Sequence, residues 1–203
     1  SYALNNTAAN VQALAANQIV HDTLVVKSLD GTAQQTLAVA ILGSNDTATI
    51  AGTSTGAVAE NGTLTAGGTL TVADADAGQA RLQTPTSLAG TYGTFALNAT
   101  TGVWGYMLNN AAANVQALTG GQIVHDTTTV KSSDGTASQV LDVTVTGAND
   151  AAAITGTATG SVTEDGGQLA TGKLNITDAD TGEAQFQTPT GLVGTYGTFT
   201  LNT

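Results

Sequence analysis

The sequence predicts an all-β chain, built from tandem Greek-key β-sandwich modules with a 104-residue period. Three observations carry this. The chain aligns with itself without a gap: residues 1–99 and 105–203 share 60 identical positions, among them NVQAL at 10–14 and 114–118 and QTPT at 83–86 and 187–190. A period near 100 residues is too long for a solenoid unit and is the size of one independently folding sandwich. Thr (38), Ala (34) and Gly (25) make up nearly half of the 203 residues, which is β-prone, turn-rich material. Short alternating runs are separated by turn signals about every 8 to 12 residues.

In chain order, GTLTVAD at 68–74, YGTFALN at 92–98 and GVWGYML at 102–108 are expected strands, rich in β-branched and aromatic residues. NNAAANVQAL at 109–118 is the one helical stretch, of one or two turns. VHDTTTVKSSD at 124–134 and SQVLDVTVTG at 138–147 alternate as strands, with Asp134-Gly135 as the turn signal between them. The candidate linkers are GSND at 43–46 and GAND at 147–150. Boundaries there give the C-terminal half of one module at 1–46, a complete module at 47–150, and the N-terminal half of the next at 151–203.

Charge excludes several functions. There are 15 acidic and 4 basic side chains, a net charge of −11, and such a surface repels a phosphate backbone, so no nucleic-acid partner is expected. The absence of cysteine rules out disulfides and thiolate sites. No apolar run approaches the roughly 18 residues of a membrane span, so no membrane insertion is expected. The two histidines both stand in VHDT and no GxSxG occurs; the chain is not predicted to be an enzyme, and no catalytic residue is assigned.

The acids recur in register: Asp22/Asp126, Asp30/Asp134, Asp46/Asp150, Glu60/Glu164, Asp74/Asp178 and Asp76/Asp180. Most lie at turn-like places without basic partners. Clustered carboxylates repel one another, and a hard divalent cation held by oxygens resolves the repulsion; flexible loop ligands suit calcium better than magnesium. The candidate metal ligands are therefore Asn45, Asp46, Glu60, Asp74, Asp76, Asp134, Asn149, Asp150, Glu164, Asp178 and Asp180. For Asp134, in an Asp-Gly pair, a plain turn and a ligand are both open. Asp22 and Asp126 read as a solvated strand face, and Asp142 and Glu183, which have no acidic counterpart, as plain surface.

TGTATGSVTEDGGQLATGKLNITDADTGEAQFQTPTGLVGTYGTFTLN resembles the VCBS repeat of giant bacterial surface proteins, and WGYMLNNAAANVQAL continues the pattern. Such repeats are similar to cadherin modules, which implies an Ig/cadherin-like sandwich with calcium bound at module junctions by the linker ND and the following DxD. The chain departs from the cadherin linker at Gly43 and Gly147, where that linker carries an Asp. The resemblance implies an extracellular extender of a bacterial surface fibre or adhesin, with neighbouring modules as partners. Two alternatives stand beside it: a glycan- or surface-binding adhesin module, with Tyr92, Tyr196 and Trp104 as stacking candidates that also fit a core, and a filament subunit whose half-modules complement head to tail. The preferred reading of the halves is completion within one longer polypeptide.

Overall fold

A computed structural model describes residues 1–202. In chain order the elements are α1 (Ala9–Gln12), β1 (Ile19–Lys27), β2 (Gln34–Leu42), β3 (Thr49–Gly52), β4 (Thr55–Ala59), β5 (Thr65–Ala73), β6 (Gly93–Leu97), β7 (Val103–Leu108), α2 (Ala113–Gln116), β8 (Ile123–Lys131), β9 (Ser138–Thr146), β10 (Ala153–Gly156) and β11 (Leu174–Thr177). Among the described residues the fold is all-β apart from two single helical turns.

Strands β3 to β9 form a four-stranded sheet of order β3-β5-β7-β6 and a three-stranded sheet of order β4-β9-β8. The first is the A-B-E-D order of an immunoglobulin-type sandwich, and the second contains its terminal hairpin. Alternation decides which face is buried. On β9, Leu141, Val143 and Val145 are fully buried, with half-buried polar residues between them. On β7, Trp104, Tyr106 and Leu108 point inward while Val103 and Met107 are exposed. Each such aliphatic side chain contributes roughly 1.5–3 kcal/mol on burial.

The chain divides into two compact units. The first comprises Ser1–Gly56, Ala66–Met107 and Asp126–Val143. Its core holds Leu70, Phe95, Trp104, Tyr106, Leu141 and Val143. The Trp104 indole N–H donates to the Thr53 carbonyl at 2.6 Å, and Gly56 makes room for the ring: a Cβ there would stand 2.8 Å from the Ala66 Cβ and 3.3 Å from the indole. The same unit carries β1 and β2, an antiparallel hairpin paired from Ile19↔Leu42 to Lys27↔Gln34. The second unit comprises Ala57–Thr65, Leu108–His125 and Thr144–Thr203. Its buried residues include Val58, Leu108, Val115, Leu118 and Val145, and it carries the antiparallel pair β10 and β11.

The helical stretch at 109–118 shrinks to the single turn α2, which has no side-chain cap. So short a helix is not stable by itself. Its neighbours are held instead by side chains: Asn110 accepts from the Asn61 N–H at 2.9 Å, and Gln116 donates to the Asn110 carbonyl at 2.8 Å.

Candidate metal centre

In the second unit, β11 runs directly into Asp178-Ala179-Asp180. Asp178 Oδ1 accepts the Asp180 backbone N–H at 2.9 Å. This Asx-type turn carries Asp180 inward to 2% exposure. Asp180 Oδ2 then accepts the Asp150 N–H at 2.8 Å, which ties the linker to the turn. Asn149 donates to the Asp150 carbonyl, and the Thr181 N–H donates to the Ala117 carbonyl at 3.2 Å. Ligand atoms of Asp178, Asp180 and Glu183 all lie within 4.8 Å of one another. This acidic group can hold a metal ion. Asp150 Oδ2 and Asp180 Oδ1 are buried and have no hydrogen-bond partner.

The first unit repeats the arrangement. Asp74 Oδ1 accepts the Asp76 N–H at 2.9 Å, and Asp76, 2% exposed, accepts the Asp46 N–H at 2.9 Å. The Ala77 N–H donates to the Ala13 carbonyl at 3.2 Å. Asp74 Oδ2 and Asp76 Oδ1 are buried without partners. One position differs. Where the second unit has Glu183, the first has Gln79, whose amide donates to Asp76 Oδ2 at 3.4 Å.

A buried carboxylate oxygen without a donor is costly, and native structures satisfy such atoms. Here the unsatisfied oxygens sit in the DxD turns and at one linker, the places where cation ligands were expected. The donor set is oxygen only, which suits a hard divalent cation. Neither a family profile nor a curated protein sequence matches the chain. The site therefore rests on its own chemistry.

The remaining candidates fall into three environments. Glu60 is buried at 3% exposure. Its Oε1 accepts from Gln116 at 2.6 Å and its Oε2 from the Ala148 N–H at 3.0 Å, two residues before Asp150. Glu164, at the same register of the repeat, is exposed. Asp134 serves its own turn: it accepts from the Ser132 hydroxyl at 2.6 Å, the Thr136 hydroxyl at 2.5 Å and the Asn45 amide at 3.0 Å. Asn45 is thereby turned toward Asp134, and Thr136 in turn accepts the Ala48 N–H at 2.9 Å. These bonds hold the Asp134 carboxyl well below the ordinary carboxylate range, with the Ser132 hydroxyl the largest cause.

Asp30 occupies the same turn in β1–β2. The hydroxyl of Ser28, then the N–H and hydroxyl of Thr32, lower its pKa to about 2. Because the folded value is depressed, the contribution is present above the usual 3.8 and is lost as pH falls toward 2. A carboxyl-detected NMR titration is expected to place the Asp30 midpoint near 2; a midpoint near 3.8 would show that these bonds do not persist in solution.

Gly43 and Gly147 stand where a side chain has no room. A Cβ on Gly43 would stand 2.2 Å from the Ala15 carbonyl oxygen, and one on Gly147 would stand 2.6 Å from that of Thr119. No side chain fits there, so neither position can supply a carboxylate to the linker.

Glu183, read as surface, is exposed, and one of its oxygens lies within 4.8 Å of those of Asp178 and Asp180. One residue was misjudged from sequence. Asp126, taken as a solvated strand face, is 2% exposed. It accepts from the N–H groups of Thr91 (2.8 Å), Tyr92 (2.9 Å) and Gly93 (3.1 Å) and from the Tyr106 hydroxyl (2.8 Å). Gly90 leaves room for the carboxylate: a Cβ there would fall 2.2 Å from it. Trp104 is buried and offers no stacking face, whereas Tyr196 is fully exposed. Two clefts of the first unit share Arg81, Leu82, Ala99 and Thr100 and are lined by neither imidazole nor carboxylate. Among the described residues no helix is long and apolar enough to cross a membrane.

Proposed function

We propose that this chain is a segment of an extracellular bacterial surface fibre or adhesin, a structural extender of VCBS-like modules stiffened by calcium at its linkers. The observation that carries this is the set of four buried, unpartnered carboxylate oxygens on Asp74, Asp76, Asp150 and Asp180. In each unit the DxD turn holds the linker through a backbone bond to the buried Asp of that turn. A cation held there by Asp150, Asp178, Asp180 and Glu183, or by Asp46, Asp74 and Asp76, locks linker and turn together. A bare chain with net charge −11 has too few cations of its own to do this. In this reading the acids are mechanical parts, and Glu60 and Asn149 brace the linker from the side.

The test is a thermal melt in excess calcium, in excess chelator, and in magnesium at matched ionic strength. With free calcium at 100 times the dissociation constant, each site adds about 2.7 kcal/mol to the folded state. At roughly 4–8 °C per kcal/mol for a domain of this size, a rise on the order of 10 °C is expected. Equal melting temperatures in calcium and chelator would sink the proposal and leave the acids as a solubilising surface.

A further inference from the structure

Arg81 is the single arginine of the chain, and the first unit sets it at the wall of a cleft. The segment Arg81–Gln83 is laced down on both sides. Leu82 is buried, forms an antiparallel bridge with Ser132 and donates its N–H to the Ala99 carbonyl at 3.1 Å. The Gln83 N–H donates to the Lys131 carbonyl at 2.9 Å, and the Ser133 N–H to the Arg81 carbonyl at 2.8 Å. Side chains of an extended segment alternate in direction. With Leu82 turned inward, Arg81 and Gln83 both project outward, and both are exposed.

The guanidinium has donors to spare. It carries five N–H groups. Among the described residues its one side-chain bond runs from Nε to the Ser133 hydroxyl, at a long 3.4 Å, and no carboxylate pairs with it. The Gln83 amide makes a bond of 3.5 Å to the Ser133 carbonyl. In a chain with 15 acids and 4 bases, an arginine without a carboxylate is an unused cation. The cleft beside it has a volume of about 490 Å³, in the range of small-ligand sites. Gln83, Thr84, Thr100 and Ser133 line it with an amide and hydroxyls, and no acid does. The two side chains that meet here are particular to this copy of the repeat. At the same register stand Gln185 for Arg81 and Leu29 for Ser133, whereas Gln83 and Thr84 recur as Gln187 and Thr188. The repeat therefore does not need the Arg81–Ser133 pair for its fold.

We infer that this cleft binds a uronate residue of an acidic polysaccharide, with the Arg81 guanidinium holding the sugar carboxylate and the amide and hydroxyl wall meeting the ring hydroxyls. The planar fork of a guanidinium matches a carboxylate through two parallel N–H bonds. Charge sets the sign of the ligand, because Arg81 is the one ionised side chain lining the cleft. The wall sets its class. It offers hydrogen-bonding groups along its length and no aromatic or exposed leucine-sized anchor for a peptide side chain. The net charge of −11 acts from farther away and is screened within about 8–10 Å at ordinary salt, while the guanidinium and carboxylate are in contact. Binding here is independent of the cation sites and adds an attachment point to one module.

A single arginine gives a single Nε–Hε resonance, so the test reads the site directly. The isotope-labelled 203-residue chain is titrated, at constant calcium and salt, with a tetrasaccharide of alternating glucuronate and N-acetylglucosamine. Its carboxyl-reduced form and tetraglutamate are titrated in parallel. The expected result is a saturable shift of the Arg81 side-chain signal and of the amide signals of residues 81–84, 99–101 and 133. The tetrasaccharide is expected to bind about tenfold or more tightly than either control, and Arg81→Gln to weaken it by about the same factor, as loss of a charge-assisted pair does. Arg81 is exposed and Gln stands at its register in the repeat, so the rest of the spectrum stays in place. No shift at Arg81 with millimolar tetrasaccharide overturns the proposal. Equal binding of the carboxyl-reduced form overturns it too, since the carboxylate is then not what is held. So does tetraglutamate binding as tightly as the tetrasaccharide, which makes the cleft a general carboxylate site rather than a sugar site.

Discussion

Asp126→Ala is expected to destabilise the fold by about 3–5 kcal/mol, the range for breaking a buried charged network by removing one member. The carboxylate, 2% exposed, receives three partly buried backbone N–H groups and the buried Tyr106 hydroxyl. Truncation leaves those donors facing a void, and each buried unsatisfied donor costs about 1–3 kcal/mol before relaxation. Asp22→Ala, the same change at the same register, is expected to cost under about 1 kcal/mol in the single chain, because Asp22 is exposed and accepts only from Tyr2. Urea denaturation of both variants checks this, read as a midpoint shift at unchanged slope. Equal losses would mean that the Asp126 network does not form. Tyr106 reports on the same network. Burial first, then the hydrogen bond to Asp126 and its charge, push the phenol well above its usual 10.0. That contribution is in place below the ordinary value and is lost as pH rises beyond it.

The contrast between Asp126 and Asp22 also shows what the sequence made legible. The strand positions were readable because period-two alternation is local: 138–147 was expected as a strand, and β9 occupies Ser138–Thr146. The Asp134-Gly135 turn was readable for the same reason, and Gly135 adopts φ +80°. Burial was not readable in the same way, because the repeat gives two segments the same letters and different cover. Leu37 and Leu141 share a register, yet only one is buried. Asp126 was misread because its partners lie 33 to 35 residues away in the backbone of a loop, where no side-chain pattern announces them.

The candidate cation site was legible for a related reason. The DxD turn is local, so Asp74, Asp76, Asp178 and Asp180 stood out, and the buried unpartnered oxygens fall on them. Its outer limit was not. Glu183 was set aside because its counterpart is Gln79. Recurrence finds what two copies share and is blind to what one copy has alone. Asp134 shows the reverse hazard: it recurs with Asp30, but both recur as turn anchors held by Ser and Thr.

That single difference sets the last expectation. If the acids hold calcium, the two centres do so unequally. The second unit offers Asp150, Asp178, Asp180 and Glu183, while the first offers Asp46, Asp74 and Asp76, with the Gln79 amide already spending a donor on Asp76. Calcium affinity rises with the number of carboxylate ligands. Isothermal titration is therefore expected to resolve a tight site and a weaker one, separated by about tenfold or more, a difference of about 1.4 kcal/mol. Asp180→Ala removes the buried carboxylate that the tight site is built around and is expected to abolish that site. Glu183→Gln converts the second centre into the composition of the first and should bring the two affinities together. Gln79→Glu should do the same from the other side, tightening the weak site. If Glu183→Gln left two affinities unchanged while Asp180→Ala removed one, Glu183 would be a bystander and the asymmetry would lie in the linkers. If neither substitution altered binding, the ligands would lie outside the DxD turns, and the buried oxygens of Asp76 and Asp180 would need water rather than an ion to satisfy them.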